Sequence, residues 1–241
     1  MKLEPEPVNE AKRNAALEAV KHVKDGFIIG LGSGSTAAYA IEAIAERAKR
    51  ENLNVKGIPT STQAFFLAVK HGIPVTTLEE HNIIDLSIDG ADQIDPNLNL
   101  IKGMGAALTR EKIVASASKQ NIIIADESKK VKILGEREHP VPVEVLSFGS
   151  AYVKRRIETI GGKPVVREGK GKLGAVITDN GNMVLDVVFG EINDPTVLAI
   201  KLKMIPGVVE TGLFIGLTDL VYLGSSSGVE KIEAKDKRSR N

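Results

Sequence analysis

The feature of this sequence that most limits its fold is the regular alternation of short apolar runs with helical patterns. Residues 25–50, "DGFIIGLGSGSTAAYAIEAIAERAKR", read as a turn, a short buried strand, a glycine-rich loop and a helix capped by Ser35 or Thr36. Strand and helix patterns keep alternating along residues 54–126. Because strands that alternate with helices form parallel sheets, we predict an α/β fold with a doubly wound, mostly parallel, Rossmann-like sheet.

The pattern changes in the second half of the chain. Residues 137–207 read as helix, strands and helix, and "DNGN" at 179–182 predicts a hairpin turn between two strands. This segment predicts a second, smaller α+β domain of the ferredoxin-like kind. Residues 208–241 are rich in strand patterns and can return to the first sheet. The predicted large domain is therefore discontinuous and consists of 1–136 and 208–241.

Composition excludes several classes of protein. The chain has 241 residues and 42% hydrophobic residues, enough for a large core. Its 32 Lys and Arg nearly balance 31 Asp and Glu, so no overall field attracts nucleic acid or an anionic membrane. The apolar runs are too short to span a bilayer, the polar start is no signal peptide, and the absence of cysteine suits a reducing compartment. We expect a cytoplasmic protein with neither nucleic acid nor membrane as a partner.

The first loop of interest is "GLGSGSTA", which follows the first predicted strand. From Gly32 it fits the dinucleotide pattern G-x-G-x-x-A, but no acidic residue follows the second strand to hold a ribose. A P-loop is excluded because its lysine is missing. Two interpretations remain open: a pocket for one phosphate monoester, or a glycine turn followed by a serine cap. The candidate ligands are Ser33, Gly34, Ser35 and Thr36.

The second loop, "SIDGADQID", groups Asp89, Asp92 and Asp95 with no basic residue among them. A calcium-binding EF-hand loop is excluded because Ala91 and Leu100 stand where it needs oxygen ligands. Taken singly, these residues also fit turn and cap positions. Taken together, adjacent carboxylates raise one another's pKa and can exchange protons near neutral pH. No metal-ligand spacing occurs among the histidines, which are His22, His71, His81 and His139.

The third loop lies in "LIKGMGAALTREKI". Lys102 closes a short apolar strand, and Gly103 and Gly105 let the backbone approach a ligand. Glu111 falls in the helix that follows. A solvated helix face is the alternative interpretation of "REK", and the residues by themselves leave it open.

Four blocks, "GLGSGSTA", "SIDGADQID", "KGMGAALTREKI" and "ADESK", resemble in order and spacing the signature blocks of the ribose-5-phosphate isomerase A family. The later "VPVEV", "ITDNGN" and "IPGVVETGLF" resemble the same family, so the likeness covers nearly the whole chain. The resemblance implies a metal-independent aldose–ketose isomerase of the pentose phosphate pathway. It also implies that the enzyme uses no cofactor, binds a small sugar phosphate, and forms a homodimer or homotetramer.

The resemblance also implies roles for individual residues. Glu111 matches the base that transfers the proton, Lys102 matches the lysine at the reacting end of the substrate, and Asp89 and Asp92 match a pair of aspartates, the first involved in ring opening. Lys12 matches an N-terminal lysine near the phosphate. The implied substrate-binding residues are Ser33, Gly34, Ser35, Thr36, Asp89, Gly90, Ala91, Asp92, Lys102, Gly103, Met104, Gly105 and Lys129.

The chain departs from the family pattern at three positions. Ser33 replaces a threonine and keeps a hydroxyl, Gln93 replaces a glutamate, and Met104 replaces a glycine and puts the fit of the substrate in question. Related alternatives are a sugar-phosphate-sensing regulatory domain, a sugar-phosphate deaminase-isomerase, and a coenzyme A transferase with a glutamate nucleophile. A sensing domain normally accompanies a DNA-binding segment, and none is evident in the sequence.

Overall fold

The computed structural model describes residues 6–169, 171 and 173–235, which form two compact units. The first unit lies within Met1–Ala91, Arg110–Lys129 and Leu217–Asn241, and the second within Asp92–Thr109 and Lys130–Gly216. The units differ from the predicted domains chiefly because Asp92–Thr109 groups with the second unit. Domain boundaries at 136/137 and 207/208 stay a prediction, and residues 1–5, 170, 172 and 236–241 of those domains lie outside the described part.

The secondary structure follows the predicted alternation. In chain order the elements are α1 (Glu6–Val20), β1 (Ile28–Leu31), α2 (Ser35–Glu51), β2 (Lys56–Pro59), α3 (Thr62–His71), β3 (Ile84–Asp89), β4 (Gln93–Ile94), β5 (Leu100–Ile101), α4 (Leu108–Ala117), β6 (Ser118–Asp126), β7 (Val141–Val145), α5 (Ser150–Glu158), β8 (Lys163–Val166), β9 (Met183–Val188), α6 (Pro195–Lys203), β10 (Val208–Thr211), β11 (Leu213–Phe214), β12 (Leu220–Ser225) and β13 (Gly228–Glu233). Short 3-10 helices are Glu127–Lys129, Glu136–Glu138 and Ser147–Gly149.

The first unit is built on a six-stranded sheet of order β13-β12-β6-β3-β1-β2. Its strands are parallel except for β13, which pairs antiparallel with β12. The doubly wound, mostly parallel sheet is thus confirmed. The predicted return of 208–241 to this sheet is correct for β12 and β13 only, since β10 and β11 pair within the second unit. The chain leaves β1 toward β2 on one side and continues from β3 toward β6 on the other. The carboxyl ends of β1 and β3 therefore form a topological switch point, where open α/β sheets bind their ligands.

The core of the first unit lies between this sheet and its helices. Its buried members include Ala15, Ala16, Ala19, Ile29, Ile41, Ile44, Leu86, Ile88, Ile122 and Ile124. Alanines on α1 recur at helical spacing and let that helix pack closely, while branched side chains of the strands fill the space. This packing brings the start of α1 into the same unit as the loop after β1.

The opposite, amino edge of the sheet is tied together by a structural carboxylate, Asp85. It accepts hydrogen bonds from the Ile28 backbone N–H (2.9 Å) and from Lys119 Nζ (2.7 Å). Burial raises the pKa of Asp85, but these hydrogen bonds outweigh burial, so the pKa lies below its usual value. Asp85 thereby links the starts of β1, β3 and β6.

The second unit contains a four-stranded antiparallel sheet of order β10-β7-β9-β8 and a three-stranded sheet of order β11-β5-β4. The chain order β7-α5-β8-β9-α6-β10 is that of a ferredoxin-like β-α-β-β-α-β unit, which confirms the small α+β domain. Its core includes Val143, Val153, Leu185 and Leu202.

The predicted hairpin around "DNGN" is only partly correct. Its turn forms, since the Thr178 N–H donates to Asn182 O (2.8 Å). The arm before the turn, however, forms only isolated bridges, at Ala175 and Ile177, in place of a strand. Side chains of this segment, including Thr178 and Asn182, instead donate to the fully buried Glu144 carboxylate. Among residues 6–169, 171 and 173–235 no helix is long and apolar enough to cross a membrane.

Candidate active site

The loop after β1 leads directly into α2, and the predicted cap of this helix is wrong. Gly34, not Ser35 or Thr36, occupies the N-cap position, with φ of 97°. A left-handed φ of this kind favours glycine, because a side chain at Gly34 would strain the backbone. Ser35 and Thr36 therefore lie in the first helical turn, where backbone N–H groups and the helix dipole favour an anion.

Hydroxyl and amide side chains that follow β2 form hydrogen bonds with this loop and hold it in place. Ser33 Oγ lies 2.7 Å from Thr60 Oγ1 and 2.6 Å from Ser61 Oγ, while the Gly34 N–H donates to Gln63 Oε1 (2.9 Å). The sequence reasoning did not identify Thr60, Ser61 or Gln63. Their position in "TSTQ", directly after β2, could have identified them, because β2 pairs with β1 and the two strands end at the same edge of the sheet.

Lys12 brings a positive charge to the same loop. It lies on α1, is only 4% exposed, and its Nζ donates to Ser35 Oγ (3.0 Å). Burying an ammonium group is costly unless polar partners compensate it. Lys12 therefore lies beside the start of α2, and its role near a phosphate stays a prediction.

Asp89 ends β3, the strand beside β1, and is buried. Its Oδ1 accepts hydrogen bonds from the Ser33 N–H (3.1 Å) and the Gly90 N–H (2.7 Å). Gly32 makes this approach possible, because a Cβ at that position would lie 2.3 Å from Asp89 Oδ1. The switch point therefore holds a carboxylate in fixed orientation beside the candidate anion loop.

Glu111 is carried to the same edge of the sheet by α4. This helix leads directly into β6, whose first residue, Ser118, pairs with Ile84 at the start of β3. The end of α4 thus lies at the amino edge of the sheet and its first turn at the carboxyl edge. Val114 packs over β1 at Gly30, and Glu111, three residues earlier, lies on the same helix face. Glu111 is 5% exposed, which excludes the alternative of a solvated helix face.

The second unit holds the other predicted residues. Asp92 accepts a hydrogen bond from the Met104 N–H (3.1 Å) through Oδ2. Lys102 is 4% exposed, and its Nζ lies 5.4 Å from the centre of the Phe214 ring, a distance that allows a cation–π interaction. Gly103 is buried, whereas Met104 is 44% exposed.

Asp95, the third carboxylate of its loop, has a structural role. It accepts hydrogen bonds from the backbone N–H groups of Asn97 (2.8 Å) and Asn99 (2.9 Å), and from Asn99 Nδ2 (3.0 Å). It therefore closes the turn between β4 and β5.

The predicted site residues are divided between the two units. Those of the first unit are Lys12, Ser33, Gly34, Ser35, Thr36, Asp89, Gly90, Ala91, Glu111 and Lys129. Those of the second unit are Asp92, Lys102, Gly103, Met104 and Gly105. Lys129 is partly buried and follows β6, at the same carboxyl edge as Asp89. In the part of the chain that the structure describes, no three His, Asp or Glu residues form a group that could hold a metal ion.

Comparison with known proteins gives consistent matches over most of the chain. The family model of ribose 5-phosphate isomerase A (phosphoriboisomerase A) matches residues 56–228. The ribose-5-phosphate isomerase A of Methanothermobacter thermautotrophicus is 50% identical over 91% of this chain and 96% of its own length. That of Pyrococcus horikoshii is 44% identical over 94% of this chain and 99% of its own length.

Solved structures give the same result. A ribose 5-phosphate isomerase A from Methanocaldococcus jannaschii superposes with a TM-score of 0.89 at 46% identity, covering 92% of this chain and 98% of its own. A D-ribose-5-phosphate isomerase in complex with phospho-erythronic acid superposes with a TM-score of 0.91 at 44% identity, covering 94% of this chain and 99% of its own.

Proposed function

The chain belongs to the ribose 5-phosphate isomerase A family, and from this premise we propose how its own residues perform the reaction. It is an aldose–ketose isomerase that interconverts ribose 5-phosphate and ribulose 5-phosphate in the pentose phosphate pathway. One observation supports our assignment most: the carboxyl edge of one sheet carries an anion loop, the buried Asp89 and the buried Glu111. A phosphate anchor beside two carboxylates suits proton transfer on a sugar phosphate.

The central step moves a proton between neighbouring carbons. Removal of the C2 proton of the open aldose forms a C1–C2 double bond and leaves negative charge on O1. Return of a proton to C1, with transfer of the O2 hydroxyl proton to O1, gives the ketose. We assign the transfer of the carbon-bound proton to Glu111. Burial of its carboxylate excludes competing water, and the start of α4 holds the carboxylate in place.

The other groups handle the ring and the developing charge. Asp89 is oriented by two backbone N–H groups and, with Asp92, opens the furanose and exchanges hydroxyl protons. Lys102 stabilises the negative oxygen of the enediolate, since an ammonium group with little exposure to water interacts strongly with charge. With these side chains available, we propose that the reaction needs no metal ion.

The substrate phosphate is assigned to the first turn of α2. Ser35 and Thr36 offer backbone N–H and hydroxyl groups there, Ser33 and Gly34 shape the loop that leads into this turn, and Lys12 and Lys129 supply positive charge. Binding energy from the phosphate orients the reacting carbons at the other end of the sugar.

We expect purified protein to convert ribose 5-phosphate to ribulose 5-phosphate after exhaustive chelation of divalent cations. The measurement is a coupled or direct ketose assay before and after treatment with chelator. Activity lost on chelation and restored by one divalent cation would refute the metal-independent mechanism, though not the isomerase activity.

Lys12→Met is expected to raise the KM for ribose 5-phosphate by about 10- to 100-fold, with a smaller effect on kcat, because a charged hydrogen bond to phosphate is lost. Lys21→Met is the matched control, since Lys21 lies in the exposed turn after α1 and pairs only at the surface with Glu18. Steady-state kinetics of both variants test this assignment. A loss of kcat at unchanged KM would place Lys12 in the chemistry instead.

We also propose a homodimer or homotetramer in the cytoplasm. Large apolar side chains are exposed on α3 and α6, including Phe66 (64%) and Ile200 (58%), and assembly would cover such surfaces. The absence of cysteine supports a reducing compartment.

A further inference from the structure

Arg167, just after β8, joins the small sheet to the loop that follows Lys102. Its Nε donates to Asp186 Oδ2 (2.8 Å) and its Nη2 to Asp186 Oδ1, a two-point ion pair. Its Nη1 donates to the carbonyl oxygens of Gly103 (2.8 Å) and Met104 (3.0 Å). The guanidinium side chain is 10% exposed. One cation therefore holds four oxygen acceptors, all within the second unit, and its Nη2 also lies 3.8 Å from Met104 Sδ.

This arrangement fixes the direction of two peptide groups. The N–H and C=O of a trans peptide point in opposite directions. Because the Gly103 and Met104 carbonyls point to Arg167, the N–H groups of Met104 and Gly105 point away from it. The Met104 N–H is the group that donates to Asp92 Oδ2 (3.1 Å). Arg167 thus acts on the orientation of Asp92 through the backbone of Met104.

The pair with Asp186 restricts what Arg167 can contribute. Asp186 lies on β9, is 23% exposed at its side chain and contacts two nitrogens of the guanidinium. The two opposite charges nearly cancel at a distance. The pair therefore supplies geometry rather than a positive field for the substrate. The planar guanidinium group of arginine can donate to the Asp186 carboxylate and to the two carbonyl oxygens at once. The single ammonium group of lysine cannot reproduce this geometry.

We propose that Arg167, held by Asp186, is a positioning residue of the isomerase. It sets the Gly103–Met104 backbone, which directly follows Lys102 in the sequence, and thereby orients Asp92. This proposal rests on the roles assigned above to Asp92 and Lys102. It also gives Met104 a defined place: its backbone carbonyl accepts from Arg167, and its side chain, 44% exposed, lies against the same guanidinium through Sδ.

The kinetic test compares Arg167→Lys with Glu168→Gln, an exposed neighbour that serves as the matched control. Arg167→Lys is expected to lower kcat by about 10- to 100-fold with little change in KM, because a small misplacement of catalytic groups is costly. Arg167→Ala should lose at least as much and regain part of its kcat with millimolar guanidinium, which can refill the site. Thermal denaturation of each variant shows whether the fold survives.

A second readout does not depend on activity. The chain has four methionines, so selective ¹⁵N-methionine labelling gives a spectrum simple enough to assign Met104. Its amide resonance should shift when Asp92 is replaced by Asn, since the Met104 N–H donates to the Asp92 carboxylate. We expect that shift in the wild-type and Glu168→Gln backgrounds, and its loss in the Arg167→Lys background.

The outcomes separate this proposal from the proposed function. The positioning role would be overturned if a folded Arg167→Lys variant kept the wild-type kcat, or if the Met104 amide of that variant responded as it does in the wild type. A wild-type protein with no isomerase activity would instead refute the assigned roles of Asp92 and Lys102, and the methionine spectrum would still decide whether Arg167 sets the backbone.

Discussion

Glu111→Gln is expected to lower kcat by about 10²- to 10⁴-fold with only a modest change in KM. Glutamine preserves the shape of the side chain and can still form hydrogen bonds, but it cannot accept the carbon-bound proton. Because Glu111 is 5% exposed, the substitution also leaves little room for a water molecule to act as a substitute base. The loss should therefore fall on the chemical step.

Isotope exchange shows more directly than kcat whether Glu111→Gln has lost the proton-transfer step. In heavy water the wild type should exchange the C2 hydrogen of the aldose and the C1 hydrogen of the ketose, and Glu111→Gln should exchange neither. Glu127→Gln, an exposed carboxylate after β6, should behave as wild type. If Glu111→Gln exchanges normally while Asp89→Asn does not, the base is Asp89.

The parts of this fold that could be predicted from the sequence depend on short-range patterns. The span of α2 follows from apolar residues at helical spacing, and the end of α3 follows from Gly72, which adopts the left-handed conformation there. Asp89 and the loop after β1 were predicted as site residues because both lie at the carboxyl ends of strands. Parallel strands end at one edge, so this rule needs no knowledge of the strand order.

The features that were missed depend on partners distant in the chain. Ser33 and Thr60 meet only because β2 lies beside β1, and the sequence alone leaves that order open. Arg167 contacts Gly103 across 64 positions, and nothing in "VVREGK" marks it as different from a surface arginine. The cap of α2 was misassigned for another reason: serine and threonine are good caps, but Gly34 alone suits the backbone angle required.

Lys102→Met is expected to lower kcat by about 10²- to 10³-fold, the usual cost of removing one group that stabilises a developing oxyanion. Methionine keeps most of the apolar stem that packs near Phe214, so the variant should fold, and only the charge is lost.

Phospho-erythronic acid, the ligand of one solved isomerase that matches this chain, serves as the probe for the same variant. If Lys102 stabilises enediolate charge, the variant should bind this acid much more weakly, because the carboxylate carries a comparable negative charge. Its KM for ribose 5-phosphate should change far less, since the phosphate is assigned to the first unit. Lys163→Met, on an exposed position of β8, is the control for loss of a lysine from the second unit. Calorimetric binding of the acid and steady-state kinetics measure the two effects separately. A rise in KM with unchanged kcat would show that Lys102 holds the ground-state substrate, and the enediolate charge would then need another donor.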